Sequence, residues 1–121
     1  MDEHDTLTAL KRLVIAFRDE RAWQPFHTPK NLAMAIAIEA GELQELFLWK
    51  EEAEIQAALR EPKFCQRLQE EMADVLIFLL YMAEAAGLDL SEAVKAKIAS
   101  NEEKYPVAKS YGCKKKYHEL K

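Results

Sequence analysis

Residues 32–49 read LAMAIAIEAGELQELFLW, an apolar helical run with carboxylates placed where a helix ordinarily buries hydrocarbon. Wound at about 3.6 residues per turn, it sets Glu39 on one stripe with Leu32, Ala35, Ile36, Leu43 and Leu46. Glu42 follows three residues later, so the two carboxylates are neighbours on one face. Residues 64–86, FCQRLQEEMADVLIFLLYMAEAA, repeat the arrangement: Glu71 shares a stripe with Phe64, Leu68, Val75 and Phe78, and Asp74 stands at i+3. Two ExxE/D pairs are thus expected to point from apolar helical faces into a protein interior.

Carboxylates in dry surroundings are unfavourable unless each gains a partner, and the stripes themselves are read as supplying no cation. A hard divalent ion answers the pattern, since it takes oxygen ligands and accepts carboxylates together with water. Neither helix carries ExxH, which a ferritin-like di-iron site would use. The predicted cofactor is therefore Mg²⁺, with Mn²⁺ as its substitute. One acidic pair on an apolar border is commonly a residue at the waterline. Two pairs, each flanked by apolar residues of its own stripe, are a more specific signal.

The chain has 121 residues, enough for one domain with a sizeable core, and the expectation is a single domain over 1–121. Half the residues are hydrophobic, 31% are charged, and there are only three Gly and four Pro, a composition that favours helix over hairpins. The net charge of −4 speaks against a nucleic-acid polymer as partner. Residues 114–121 (KKKYHELK) run the other way, at net +3, which leaves −7 on the rest. Cys65 and Cys113 fit no metal spacing. The N-terminus lacks an export pattern, and the longest apolar run, Val75 to Ala83, is too short to span a bilayer. A cytoplasmic protein with free thiols is expected.

Outward from the central stretch, residues 6–21 carry an amphipathic pattern (Leu7, Leu10, Leu13, Val14, Phe17) with Asp5 or Thr6 as N-cap. The segment 21–27 breaks it with Pro25 and crowds Trp23, Phe26 and His27 into a short loop. Thr28 and Pro29 read as N-cap and first residue of the helix running to about Trp49. Gly41 inside that helix costs about 1 kcal/mol against Ala, which points to close approach of a helix or ligand. A shorter helix is expected over 51–60, the second acidic helix ends at Gly87, and a last helix capped by Ser91 or Asp89 stops before Pro106. Residues 107–121 are read as an extended basic tail. The sum is an all-α antiparallel bundle of four main helices and a short one.

A metal held by carboxylates is a means of handling nucleoside triphosphates. The chain has no Walker A motif and no partnered Ser or Cys nucleophile, which leaves hydrolysis by an activated water. The base needs aromatic rings to stack on. Trp49, at i+7 from Glu42, is read on the same face, with Trp23 in the loop before, and Lys97, Asn101 and Lys104 are candidates for phosphate contacts.

Glu39–Glu42 (EAGE), followed after 28 residues by Glu71–Asp74 (EMAD), resembles the signature of the all-α MazG-type nucleoside triphosphate pyrophosphohydrolases. The likeness is closer to their short dCTP pyrophosphatase branch and runs through FHTPKNL, NEEKYP and KKKYHEL in order. The resemblance implies that Glu39, Glu42, Glu71 and Asp74 are Mg²⁺ ligands and the catalytic carboxylates. It implies Trp49 at the nucleoside, Trp23 near the same pocket, and Lys97, Asn101, Lys104 and Tyr105 on the substrate side. It implies a (d)NTP substrate, dCTP or a modified dCTP first and another (d)NTP as the alternative, hydrolysed to the monophosphate and diphosphate as pool house-cleaning. It also implies a homodimer or a dimer-of-dimers homotetramer. Val14 and Phe78 stand where the vertebrate members carry a His and a Tyr, so the base pocket at Phe78 loses hydrogen-bonding tips. Glu45 and Glu70 flank the two pairs.

Overall fold

A computed structural model describes residues 2–120, and among them every regular element is helical. The elements are α1 (Leu7–Glu20), α2 (Pro29–Glu45), α3 (Glu52–Ala58), α4 (Pro62–Ala86), α5 (Leu90–Lys104) and α6 (Val107–Ser110). The all-α expectation holds, with the four long helices and the short α3 where the sequence puts them. The chain divides into two compact units, one ending at Leu88 and the other beginning at Asp89.

In the first unit α4 packs against both α2 and α1. Leu32, Leu46, Leu80, Tyr81 and Ala83 are its buried core. Local chemistry fixes the ends of these helices. Thr6 caps α1 by accepting from the Ala9 N–H at 3.0 Å, and Thr28 caps α2 by accepting from Asn31 at 3.3 Å. Prolines at the first turns of α2 and α4 occupy positions where a missing N–H is harmless. Gly87, at φ 66°, closes α4 in the left-handed conformation glycine adopts freely.

Helix α1 closes with the same hydrogen-bond pattern but with Ala22 in the left-handed position, at φ 54°. The Trp23 N–H donates to Arg18 O and the Ala22 N–H to Asp19 O, both at 3.1 Å, the two bonds of a Schellman motif. An L-residue there costs ~1–2 kcal/mol. Part of that cost is offset by the freedom glycine brings to the unfolded chain. Ala22→Gly should therefore raise the Tm by about 3 °C in a thermal melt.

Several boundaries differ from the sequence reading. Helix α2 stops at Glu45, not at Trp49. Leu46, Phe47 and Leu48 donate to carbonyls three residues back, a tightening last turn, and Trp49 then turns left-handed at φ 62°. Trp49 consequently leaves the face that carries Glu42 and stands 90% exposed. A Cβ added to Gly41 would meet nothing within 4 Å, so among the described residues no element makes the close approach expected there. Helix α4 begins at Pro62, ahead of the expected Phe64.

In the second unit, Asp89 rather than Ser91 caps α5, its Oδ1 accepting from the Glu92 N–H at 3.0 Å. The stretch after Pro106 is not simply extended: it forms α6 and a 3₁₀ turn at Tyr117–Glu119. Tyr117 packs edge-on to Tyr105 at 6.3 Å, and the Lys104 Nζ lies 5.0 Å from the Tyr117 ring. These aromatic contacts between distant positions have no periodic signature. Both cysteines are free, and no helix among the described residues is long and apolar enough to cross a membrane.

Candidate metal centre and adjoining cavity

Helix α2 supplies Glu39 and Glu42, and α4 supplies Glu71 from across the interface of these two packed helices. One carboxylate oxygen from each lies within 4.8 Å of the others. Glu39 and Glu71 are half-buried and Glu42 is exposed, so the surroundings are drier on two sides than on the third. Asp74, also half-buried, lies outside this tight group. The sequence reading of four equivalent buried carboxylates is amended in that respect.

The electrostatics follow from the crowding. The Oε2 atoms of Glu39 and Glu71 are shut off from solvent and, with the carboxylates ionised, have no hydrogen-bond donor beside them; only a proton shared with Glu42 supplies one. Burial, then a shared hydrogen bond with Glu42 and the charges of Glu42, Asp74 and Glu71, push the Glu39 carboxyl up to about 7. Burial likewise raises Glu71, followed by the charge of Glu42 and a hydrogen bond to it. Arg67, one turn before Glu71, works in the opposite direction, a cation that the stripe reading overlooked. It forms no ion pair with the cluster among the described residues. Orphaned oxygens, several carboxylates and no matching donor are the features a divalent cation would satisfy. The residues present fit such an ion. Glu70 instead accepts from the Gln66 side chain at 3.3 Å.

Beside the cluster opens a cavity of about 400 Å³. Leu13, Val14 and Phe17 line it from α1, Trp23 and His27 from the connecting loop, and Asp74, Ile77, Phe78 and Tyr81 from α4. Asp74 thus borders an aromatic chamber, and Trp23 and Phe78 are both among the residues that line it. Trp49 does not join them. It lines a second, open hollow of about 620 Å³ with Gly41, Gln44, Glu45, Phe47 and Leu48. Lys97, Asn101, Lys104 and Tyr105 all belong to the second unit, on α5 and at its C-cap.

Tyr81 went unnoticed in the sequence, although it stands at i+7 from Asp74 on the same helical face. Its hydroxyl donates to the Val14 carbonyl at 2.6 Å and so ties α4 to α1 across the cavity floor. His27, read only as a ring in a loop, packs edge-on to Tyr81 at 4.5 Å. Burial and the charge of Arg18 hold His27 below the usual imidazole range, which favours its neutral form. Arg18 is itself buried, and Asp19 Oδ1 accepts from its Nε at 2.8 Å.

Two helices presenting paired carboxylates beside an aromatic chamber define an all-helical protein with the makings of a metal and nucleotide site. Residues 34–120 match the MazG-like family, and the chain belongs to that family. It is 44% identical over 115 residues to dCTP pyrophosphatase 1 of Rattus norvegicus, covering 95% of this chain and 68% of that protein. Against dCTP pyrophosphatase 1 of Homo sapiens the identity is 41% with the same coverage. The crystal structure of a pyrophosphatase from Archaeoglobus fulgidus is similar at TM-score 0.77 and 43% identity, over 86% of this chain and 95% of that one.

Proposed function

We infer that this chain is a nucleoside triphosphate pyrophosphohydrolase that converts a (d)NTP and water to the (d)NMP and diphosphate, with dCTP as its first substrate. The observation that carries the reading is the group of partnerless Glu39 and Glu71 oxygens next to an aromatic-lined cavity of about 400 Å³, with room for a nucleobase. The names of the relatives, dCTP pyrophosphatase 1, support the reaction and the base.

Glu39, Glu42, Glu71 and Asp74 would hold the cation, Mg²⁺ or in its place Mn²⁺. When bound, such an ion offsets the charge of the phosphates and brings the pKa of a water toward neutrality. Trp23 and Phe78 flank the base, and neutral His27 presents an imidazole beside it. Asp74, one turn beyond Glu71 on α4 and in the cavity lining, would set the spacing between base and phosphates. Because Val14 and Phe78 bring no hydrogen-bonding tip, discrimination among bases rests on stacking and is weaker than a polar pocket would give.

On the family resemblance, Lys97, Asn101, Lys104 and Tyr105 are assigned to the substrate side, the first three as phosphate contacts, and Trp49 to the nucleoside. A homodimer or homotetramer is the working assembly, supported by exposed apolar side chains on α2 such as Met34 and Ile38. The expected setting is cytoplasmic, acting on free nucleotides without a membrane or nucleic-acid polymer.

The deciding experiment measures diphosphate release from each common and 5-substituted dNTP, with Mg²⁺ and with EDTA. Release that needs the metal, with dCTP or a 5-substituted dCTP ranked first, is expected. No release from any triphosphate would overturn the reading. Deleting residues 114–121 should raise KM about tenfold while kcat stays within about twofold, as removal of uniform phosphate binding does. An unchanged KM would take the basic tail out of substrate binding.

A further inference from the structure

Arg21 is the C-cap residue of α1, and its side chain folds back over the helix end. The guanidinium carbon lies 3.6 Å from the centroid of the Phe17 ring and 5.9 Å from that of Trp23. Nη1 donates to the Phe17 carbonyl at 2.9 Å. Phe17 and Trp23 meet edge-on, with centroids 5.8 Å apart and planes at 71°. Both rings line the 400 Å³ cavity, yet they are 48% and 43% exposed, so packing alone leaves them loosely held.

The backbone contributes to the same arrangement. The left-handed Ala22 reverses the chain immediately after Arg21, and the Trp23 N–H is tied to Arg18 O. Trp23 is therefore aimed at Phe17 by the helix end, while its indole plane is left to a side-chain contact. A guanidinium is planar and weakly hydrated, and it stacks on aromatic faces while a donor remains engaged elsewhere.

We propose that Arg21 is a positioning residue, clamping Phe17 and Trp23 into a ready-made stacking wall for the nucleobase. It touches neither the phosphates nor the base in this role. Its effect comes through the two rings, whose rotamers are ordered before the ligand arrives, so that binding does not have to order them. The proposal rests on the reading of the cavity as the base site.

The test uses the full-length chain and the triphosphate that ranks first in the release assay. Arg21→Ala should raise KM about tenfold and leave kcat within about twofold, the signature of lost binding without lost chemistry. Arg21→Lys, which keeps the charge without the flat fork, should recover only part of that loss and leave KM about fivefold above wild type. A second readout is independent of turnover: acrylamide quenching of Trp23 fluorescence in a Trp49→Phe background. Quenching should increase when Arg21→Ala is added and remain raised with Arg21→Lys, which has no plane to lay on the rings. An unchanged KM overturns the proposal, as does unchanged quenching. Parallel losses of kcat and Tm would also overturn it, since they mark a purely structural arginine. If wild type releases diphosphate from no triphosphate, the nucleotide reading fails instead, and the quenching series still decides whether Arg21 holds Trp23.

Discussion

Glu39→Gln should lower metal-dependent diphosphate release at least about a hundredfold, because even groups one shell out from a metal commonly cost tenfold to a hundredfold. The substitution keeps the side chain's shape and removes its charge, so folding is not the variable under test. In the metal-free protein it should act the other way and stabilise. The Glu39 Oε2 is buried without a donor, beside Glu42 and Glu71 oxygens within 4.8 Å. Replacing one carboxylate with an amide removes repulsion and supplies N–H donors to its neighbours. An inactive enzyme with a higher metal-free Tm is the combined outcome expected. Retained activity would remove Glu39 from the site, and a lowered Tm would mean that the cluster is not under electrostatic strain.

The second large effect is the pH dependence of the metal-free chain. Glu39 titrates near 7 when folded, against 4.5 ordinarily, and Glu71 is raised as well. Between those values the folded state holds more protons than the unfolded one, so stability falls as pH rises from about 4.5 to about 7. With EDTA present, the Tm should be about 5 °C higher at pH 5.5 than at pH 8, a modest figure chosen because solvent screens part of the repulsion. Saturating Mg²⁺ should reverse the order: a bound cation needs ionised carboxylates, so its stabilisation grows with pH and each binding event releases protons. His27, held low, pulls the other way over part of this range, so the check is the difference between wild type and Glu39→Gln. Identical metal-free profiles between pH 5 and 8 would refute the raised Glu39 carboxyl. Binding titrations in two buffers of different protonation enthalpy would count the protons directly.

The fold was legible wherever periodicity and end signals agree. The Thr6 cap, the Thr28–Pro29 entry to α2, and Gly87 after α4 are local chemistry, and local chemistry is written in consecutive residues. The acidic pairs were legible for a related reason, since a carboxylate on an apolar stripe contradicts its neighbours and so announces itself. What escaped depends on atoms distant in sequence or on hydrogen bonds that a stripe cannot express. Trp49 was placed on the face of Glu42 by extending the period, but bonds to carbonyls three residues back end α2 at Glu45. The bond from Tyr81 to the Val14 carbonyl joins positions 67 residues apart, and no pattern of side-chain types reports a backbone acceptor. The separation of Asp74 from the tight carboxylate group, toward the cavity, is likewise a matter of helix packing rather than of spacing.

Gly41 has room for a methyl group, with nothing among the described residues within 4 Å to meet it. Within α2 that vacancy costs about 1 kcal/mol of helix propensity relative to alanine, and the subunit gains no packing in return. A Gly41→Ala substitution therefore weighs the subunit against its assembly. The isolated chain should melt higher, whereas in the proposed homodimer or homotetramer a copy seated against that stretch of α2 would be pushed off, and sedimentation of wild type beside the variant would register the difference.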